Sequence, residues 1–252
     1  MSDFNRNVTA RGGFADRTAA VDAGLRAYML RVYNYMAAAV ALTGVVAWLC
    51  FQNAVVTNEA GAITGLTSFG QMLLGGYTPI VLMLATLGLV FFISFRIHTL
   101  QYTTALGLFM LYAALLGVAL TSIFVAYTGA SVARVFFISA ASFGALSLYG
   151  YTTQRDLSAM GSFLIMGLFG IIIASLVNIF LKSSGLDWAI SVIGVGVFAG
   201  LTAYDTQRIK EMYDSMDDDG TMGRKAIMGA LSLYLDFINL FLMLLRLVGD
   251  RR

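Results

Sequence analysis

Seven apolar runs, at roughly 31–51, 79–97, 103–127, 133–151, 160–181, 188–212 and 227–247, leave this chain little choice of fold. Each approaches the ~20 residues that a helix needs to cross a ~30 Å hydrocarbon core. Inside such a core only helices and closed barrels satisfy every backbone N–H and C=O, and runs of this length read as helices. The expected fold class is an all-α membrane protein, a seven-transmembrane-helix bundle. Composition agrees, with 59% hydrophobic and 12% charged residues. Soluble domains carry about 25% charged residues, so this chain lacks the polar groups to cover a surface facing water. No shift in composition divides the spans, so 28–252 read as one transmembrane domain behind a tail, 1–27.

That tail is mixed, rich in Arg and interrupted by Asp3, Asp16 and Asp22, too long and too acidic for a signal peptide. It reads as retained, with room for a short interfacial helix over 20–30. The one long break, 52–78, is rich in Gly and Thr and ends at Pro79, the only proline, which suits the first turn of the second span. With the N-terminus on one side, eleven cations collect there: Arg6, Arg11, Arg17, Arg26, Arg31, Arg96, Arg155, Arg208, Lys210, Arg224 and Lys225. The other side holds Arg134 and Lys182 before the C-terminal tail. Positive charge marks the cytoplasm, so the N-terminus is expected inside, and a bacterial inner membrane is the expected location. The last span leaves an open choice. Its length favours a full crossing, but that strands Arg246, Arg251 and Arg252 outside, whereas a re-entrant path keeps them inside.

Two acids break the apolar pattern: Asp205 in AGLTAYDTQRI and Asp236 in GALSLYLDFINLF. A carboxylate at membrane depth costs several kcal/mol unless paired, protonated or facing water, which makes it a functional candidate by default. The sidedness places Asp205 near the cytoplasmic end of the sixth span. Asp236 lies about nine residues into the seventh, roughly 14 Å at 1.5 Å per residue. The short connection 213–226 makes these spans antiparallel neighbours, with Arg96 at the rim of the second. Two carboxylates ~5 Å apart repel by about 3 kcal/mol at an effective dielectric near 20. Such a pair would share one proton that belongs to neither residue alone. Arg96 swinging in would favour full ionisation, and its withdrawal would favour the protonated pair. Asp205 could instead simply pair with Arg208. Asn239 and Asn178 would add polar groups to the bundle interior.

At these residues the chain resembles the Bax inhibitor-1/YccA family, the bacterial branch of the TMBIM membrane proteins. The resemblance is carried by TAYDTQRIK at 202–210, by ALSLYLDFINLFLMLLRL at 230–247 and by GLRAYMLRVYNYMAAAVALTG at 24–44. It implies seven helices with the C-terminal one central and six around it. It also implies a pH-sensitive calcium leak controlled by a pair of aspartates, which correspond here to Asp205 and Asp236. The family's arginine latch corresponds, by helix position, to Arg96 in FFISFRIHTL. No cofactor is expected. Calcium is the expected permeant ion, held in passing by Asp205 and Asp236, and the expected partners are the lipid bilayer, calcium ions and protons.

Other signals carry less. Asp217, Asp218, Asp219 and Gly220 resemble part of an EF-hand loop, but the twelfth position is Ala226, where a bidentate Glu is needed. His98, the only histidine, and Cys50, the only cysteine, lack partners for a metal site. His98 could still tune a pH response. Gly196 and Gly200 form a GxxxG suited to close helix packing. The net charge of +2, without a basic cluster, excludes nucleic acid as a partner.

Three function classes compete. A proton-gated cation leak, and no enzyme, leads. An intramembrane aspartyl protease would also use one aspartate on each of two helices. Its GxGD motif is absent around Asp236, and its Pro-Ala-Leu motif is impossible with Pro79 alone. An interaction protein that modulates a membrane-anchored ATP-dependent protease or a stress response, through residues 1–27, is the alternative. A proton-coupled transporter differs from a leak by saturable counter-flow.

Overall fold

A computed structural model describes residues 3–59 and 62–252, with side chains described from Val21 onward among the first fifty residues. Among the described residues seven helices are long and apolar enough to span a membrane, over Val21–Ala54, Thr78–Arg96, Tyr102–Ala126, Gly129–Thr152, Ser158–Leu181, Ser184–Glu211 and Asp219–Val248. In chain order the elements are α1 (Asp3–Ala54), β1 (Val55–Thr57), β2 (Ile63–Leu66), α2 (Ser68–Leu74), α3 (Thr78–Arg96), α4 (Tyr102–Ala119), α5 (Thr121–Ala126), α6 (Gly129–Thr152), α7 (Ser158–Leu181), α8 (Ser184–Glu211) and α9 (Asp219–Val248). The α1 helix runs unbroken through position 27, so no separate interfacial helix occurs at 20–30. The side chains of Arg6, Arg11 and Arg17, and those of the tail's first twenty residues generally, lie outside the described residues.

Several spanning helices, α1, α6, α7, α8 and α9, start before their apolar runs. Hydropathy locates the hydrocarbon slab, whereas caps locate the helix ends. The clearest case is α9, which starts at Asp219 rather than 227 because the Asp218 carboxylate accepts from the N–H groups of Gly220 and Thr221. The Thr221 hydroxyl also donates to Asp218, and Asp217 pairs with Lys225 at 2.6 Å. The acidic cluster is therefore a helix start. These hydrogen bonds hold the Asp218 carboxyl below its ordinary value of 3.8. A lowered folded value means stabilisation that is present above 3.8 and lost as pH falls through the folded value. Asp218→Asn should therefore melt below the wild type at neutral pH, with the gap closing in acid, as followed by thermal unfolding in detergent.

The break at 52–78 holds two elements that its composition hides. β1 and β2 pair antiparallel, with Val55 opposite Leu66, and α2 is capped by the Thr67 hydroxyl accepting from Gly70 N–H. Pro79 sits in the first turn of α3, as its missing N–H favours.

Burial orders the bundle. Of the most apolar stretch of each helix, 67% is buried in α9 and 44% in α8, but only 11% in α3 and in α7. The C-terminal helix is the centre of the bundle, packed against α1, α4, α6 and α8. Its core side chains include Ile227, Leu231, Leu233, Tyr234, Leu240 and Leu245, and α3 and α7 turn most of their surface to lipid. Close approach needs small residues where backbones cross. A Cβ on Gly150 would meet the Ala203 carbonyl oxygen at 2.2 Å, and one on Gly117 would meet the Thr43 carbonyl oxygen at 2.7 Å. The GxxxG of α8 is split: Gly200 packs on Leu164 of α7, while nothing lies within 4 Å of a Cβ on Gly196.

The path of the last helix is a full crossing. Beyond α9, Thr128 N–H donates to the Asp250 carbonyl, Arg252 N–H to the Ala126 carbonyl and Asp250 N–H to the Ser131 hydroxyl. The chain end is thus bound beside the α5–α6 turn, at the end of the bundle where α1 finishes. The terminal arginines meet local partners there. Arg246 lies 3.8 Å from Asp187, Arg251 stands over the Tyr127 ring at 5.8 Å, and Arg252 over Phe51 at 5.5 Å. The helix runs the length of the bundle, and these contacts hold the terminal arginines at its far end.

Candidate functional site

Glycine contacts set the register of α8 against α9. A Cβ on Gly229 would meet Ile209 at 2.9 Å, and one on Gly194 would meet Met243 at 2.9 Å. These fix an antiparallel pair in which Asp205 and Asp236 fall within about one turn of each other. Their carboxyl groups face each other closely enough to share a hydrogen bond. Asp236 is 5% exposed, and its Oδ2 has no hydrogen-bond partner among the described residues. Asp205 is half-buried, and Arg208, one turn on, is the cation acting on it.

The chemistry of this pair is restrictive. Two carboxylates are acceptors only, so a hydrogen bond between them requires that one carry a proton. Removing it leaves two facing anions whose repulsion, about 3 kcal/mol at ~5 Å and a dielectric near 20, is relieved by separation or by a cation.

Two sets of hydrogen-bonded hydroxyls tie α8 and α9, the helices that carry the pair, to their neighbours. Tyr33 of α1 hydrogen-bonds Ser147 of α6 at 2.7 Å, and Ser147 hydrogen-bonds Thr206 of α8 at 2.9 Å. On the other side of α9, Tyr234 and Thr43 hydrogen-bond at 2.7 Å, while Phe109 and Tyr112 meet the Tyr234 ring edge-on. Gln207 ties the α6–α7 turn to α8, accepting from Leu157 N–H and donating to the Arg155 carbonyl. Sequence reasoning missed these hydroxyls. The only available signal was Thr206, a hydroxyl next to Asp205 in an apolar helix.

Other candidates go elsewhere. Arg96 ends α3, exposed, with no ion pair among the described residues, and α3 packs against α2 and α4. The arginine latch is thus not formed in this structure, because α3 is an outer helix and the cation beside the acids is Arg208. His98 is exposed in the turn that follows α3. Asn178 and Asn239 do not build a polar interior. Asn178 accepts from Ser183 N–H at the end of α7, and Asn239 donates back to the Leu235 carbonyl of its own helix. Cys50 is a free, half-buried thiol. Among the described residues no cluster of three or more His, Cys, Asp or Glu side chains could hold a metal ion.

Comparison with known proteins places the sequence in a family. The family described as inhibitor of apoptosis-promoting Bax1 matches residues 25–252. The chain is 49% identical to the inner membrane protein YbhL of Escherichia coli K12, over 91% of this chain and 94% of that one. It is 48% identical to the Rickettsia prowazekii protein RP147 over the full length of both. Identity to the Lactococcus lactis protein YrjE is 37%, over 90% of this chain and 92% of the relative. With a helical bundle centred on its last span, and a family match that runs from α1 to the final residue, the chain belongs to the Bax inhibitor-1 family of membrane proteins.

Proposed function

We propose that this protein is a pH-sensitive cation leak of the bacterial inner membrane, with calcium as the permeant ion and the Asp205/Asp236 pair as its gate. The carrying observation is Asp236, buried at the centre of the bundle, facing a second carboxyl and keeping one oxygen unpartnered. Proton loss turns this pair from a hydrogen-bonded contact into a doubly negative site. That change both loosens the α8–α9 contact and favours a divalent cation, so flux rises with pH. The pair acts as a gate and not as a catalyst. The inner-membrane location is supported by the name of the Escherichia coli relative. The inward N-terminus is supported by eleven cations at that end.

Arg96 enters as a latch through displacement of α3, which with α7 is the least buried span. In the present arrangement Arg208 holds the neighbouring position. The test is calcium entry into proteoliposomes over a pH series, with wild type, Asp205→Asn, Asp236→Asn and Arg96→Ala. Flux in the wild type should climb as pH rises, and both aspartate variants should blunt the climb. Arg96→Ala should shift its midpoint. Identical profiles for all four proteins would discard the gate.

A further inference from the structure

We propose that the membrane-facing groove between α1 and α6 is a binding site for an anionic phospholipid, with one acyl chain in the groove and its phosphate against Arg26. The groove has a volume of about 410 Å³ and is walled by Met29, Leu30, Phe143, Gly144 and Leu148. Arg26 and Tyr151 complete it at the end that carries Arg208, and Tyr33 with Ser147 bridges its two walls at 2.7 Å.

Three features select a lipid over a soluble anion. The walls are apolar, and their outer members, Leu30 at 55% exposure and Leu148 at 63%, lie within spanning helices. An acyl chain is the occupant such a surface meets. The groove also has charge at one end only. Arg26 is exposed and makes no ion pair among the described residues. A second cation, Lys210, stands 5.3 Å over the Tyr151 ring and donates to the Tyr151 carbonyl. A basic pocket between transmembrane helices, set at the headgroup level, is the arrangement that recognises anionic lipid headgroups. Finally, Gly144 leaves the chain room, because nothing lies within 4 Å of a Cβ built on it. Occupancy would bear on the centre of the bundle, since Phe143 packs edge-on at 5.6 Å against Phe237, the neighbour of Asp236.

The site is independent of ion conduction and is tested without it. Delipidated full-length protein in detergent is titrated with phosphatidylglycerol or phosphatidylcholine, and retained lipid is counted by native mass spectrometry. Wild type should keep one phosphatidylglycerol under activation that strips phosphatidylcholine. Arg26→Gln should weaken retention about fivefold, the effect of one basic residue worth ~1 kcal/mol near a headgroup. Arg26→Lys should restore most of it. Gly144→Phe should abolish retention by filling the groove. Arg134→Gln, at the opposite end of the bundle, should retain the lipid as the wild type does. Glycerol phosphate, a headgroup without chains, should not compete. Since Arg26 is exposed, its variants stay folded, and thermal melting of Gly144→Phe checks the other. Equal retention of both lipids would overturn the proposal. So would wild-type retention in Arg26→Gln, an equal loss in Arg134→Gln, or displacement by glycerol phosphate.

Discussion

Replacing Asp236 by asparagine is expected to flatten the pH response of calcium flux to less than about twofold, over a range in which the wild type changes by about tenfold, the effect of ~1.4 kcal/mol. Asparagine keeps the shape of the protonated acid, and its amide can donate to Asp205 at every pH. The repulsion that follows proton loss never arises, so α8 and α9 stay in contact and flux stays at its acid level. Stability should move the other way. Asp236 is 5% exposed with Oδ2 unpartnered, so ionising it leaves charge in a site that does not solvate it. As pH rises the wild type should lose thermal stability relative to Asp236→Asn. The variant thus separates a gate from a structural acid. A lower melting temperature with an intact pH response would mean that the pair only holds the bundle together. Asp205→Asn should show a smaller gain, because Asp205 is half-buried and Arg208 acts on its carboxylate.

Replacing Gly150 by leucine is expected to abolish recovery of folded protein. A Cβ there would stand 2.2 Å from the Ala203 carbonyl oxygen and 2.9 Å from its carbon. Both are backbone atoms and cannot rotate away. Extra methylenes in a packed core cost about 1–3 kcal/mol when side chains can yield, and this crossing offers none to move. Separating α6 from α8 would also pull Ser147 from Thr206, one turn along and 2.9 Å apart. Gly144→Ala is the matched control on the same helix. Nothing lies within 4 Å of its new Cβ, and alanine is favoured over glycine in a helix by about 1 kcal/mol. Fluorescence-detected size exclusion after a temperature ramp should show Gly150→Leu aggregated and Gly144→Ala at or above the wild-type midpoint. A monodisperse Gly150→Leu would mean that α6 and α8 can separate freely.

The two aspartates were readable because each is an anomaly against a uniform background. A charge inside a span is rare enough to stand out without neighbours. The serines and threonines were not readable, because such residues usually bond back to their own helix. Thr202, Ser139 and Thr86 do so here, donating to Phe198, Val135 and Leu82. Nothing in one sequence distinguishes these from Ser147, which reaches two other helices. The neighbours of Arg96 were not readable for a related reason. Its place at the end of a span fixes its depth but not its neighbours, and α3 lies at the edge of the bundle. The hairpin of β1 and β2 was hidden because seven strand residues within a Gly- and Thr-rich break carry no period long enough to register.

Hydrophobic length is a property of the chain alone, since each run must match the same bilayer whatever it packs against. The number of crossings, the class of fold and the depth of Asp205 and Asp236 therefore follow from residue order. Which helix fills the centre, and which side chains meet across it, depends on small residues that let backbones approach: Gly150 on Ala203, Gly229 on Ile209, Gly194 on Met243. Those contacts join positions far apart in the chain. Only the tertiary structure could bring the two acids face to face and leave Arg96 outside.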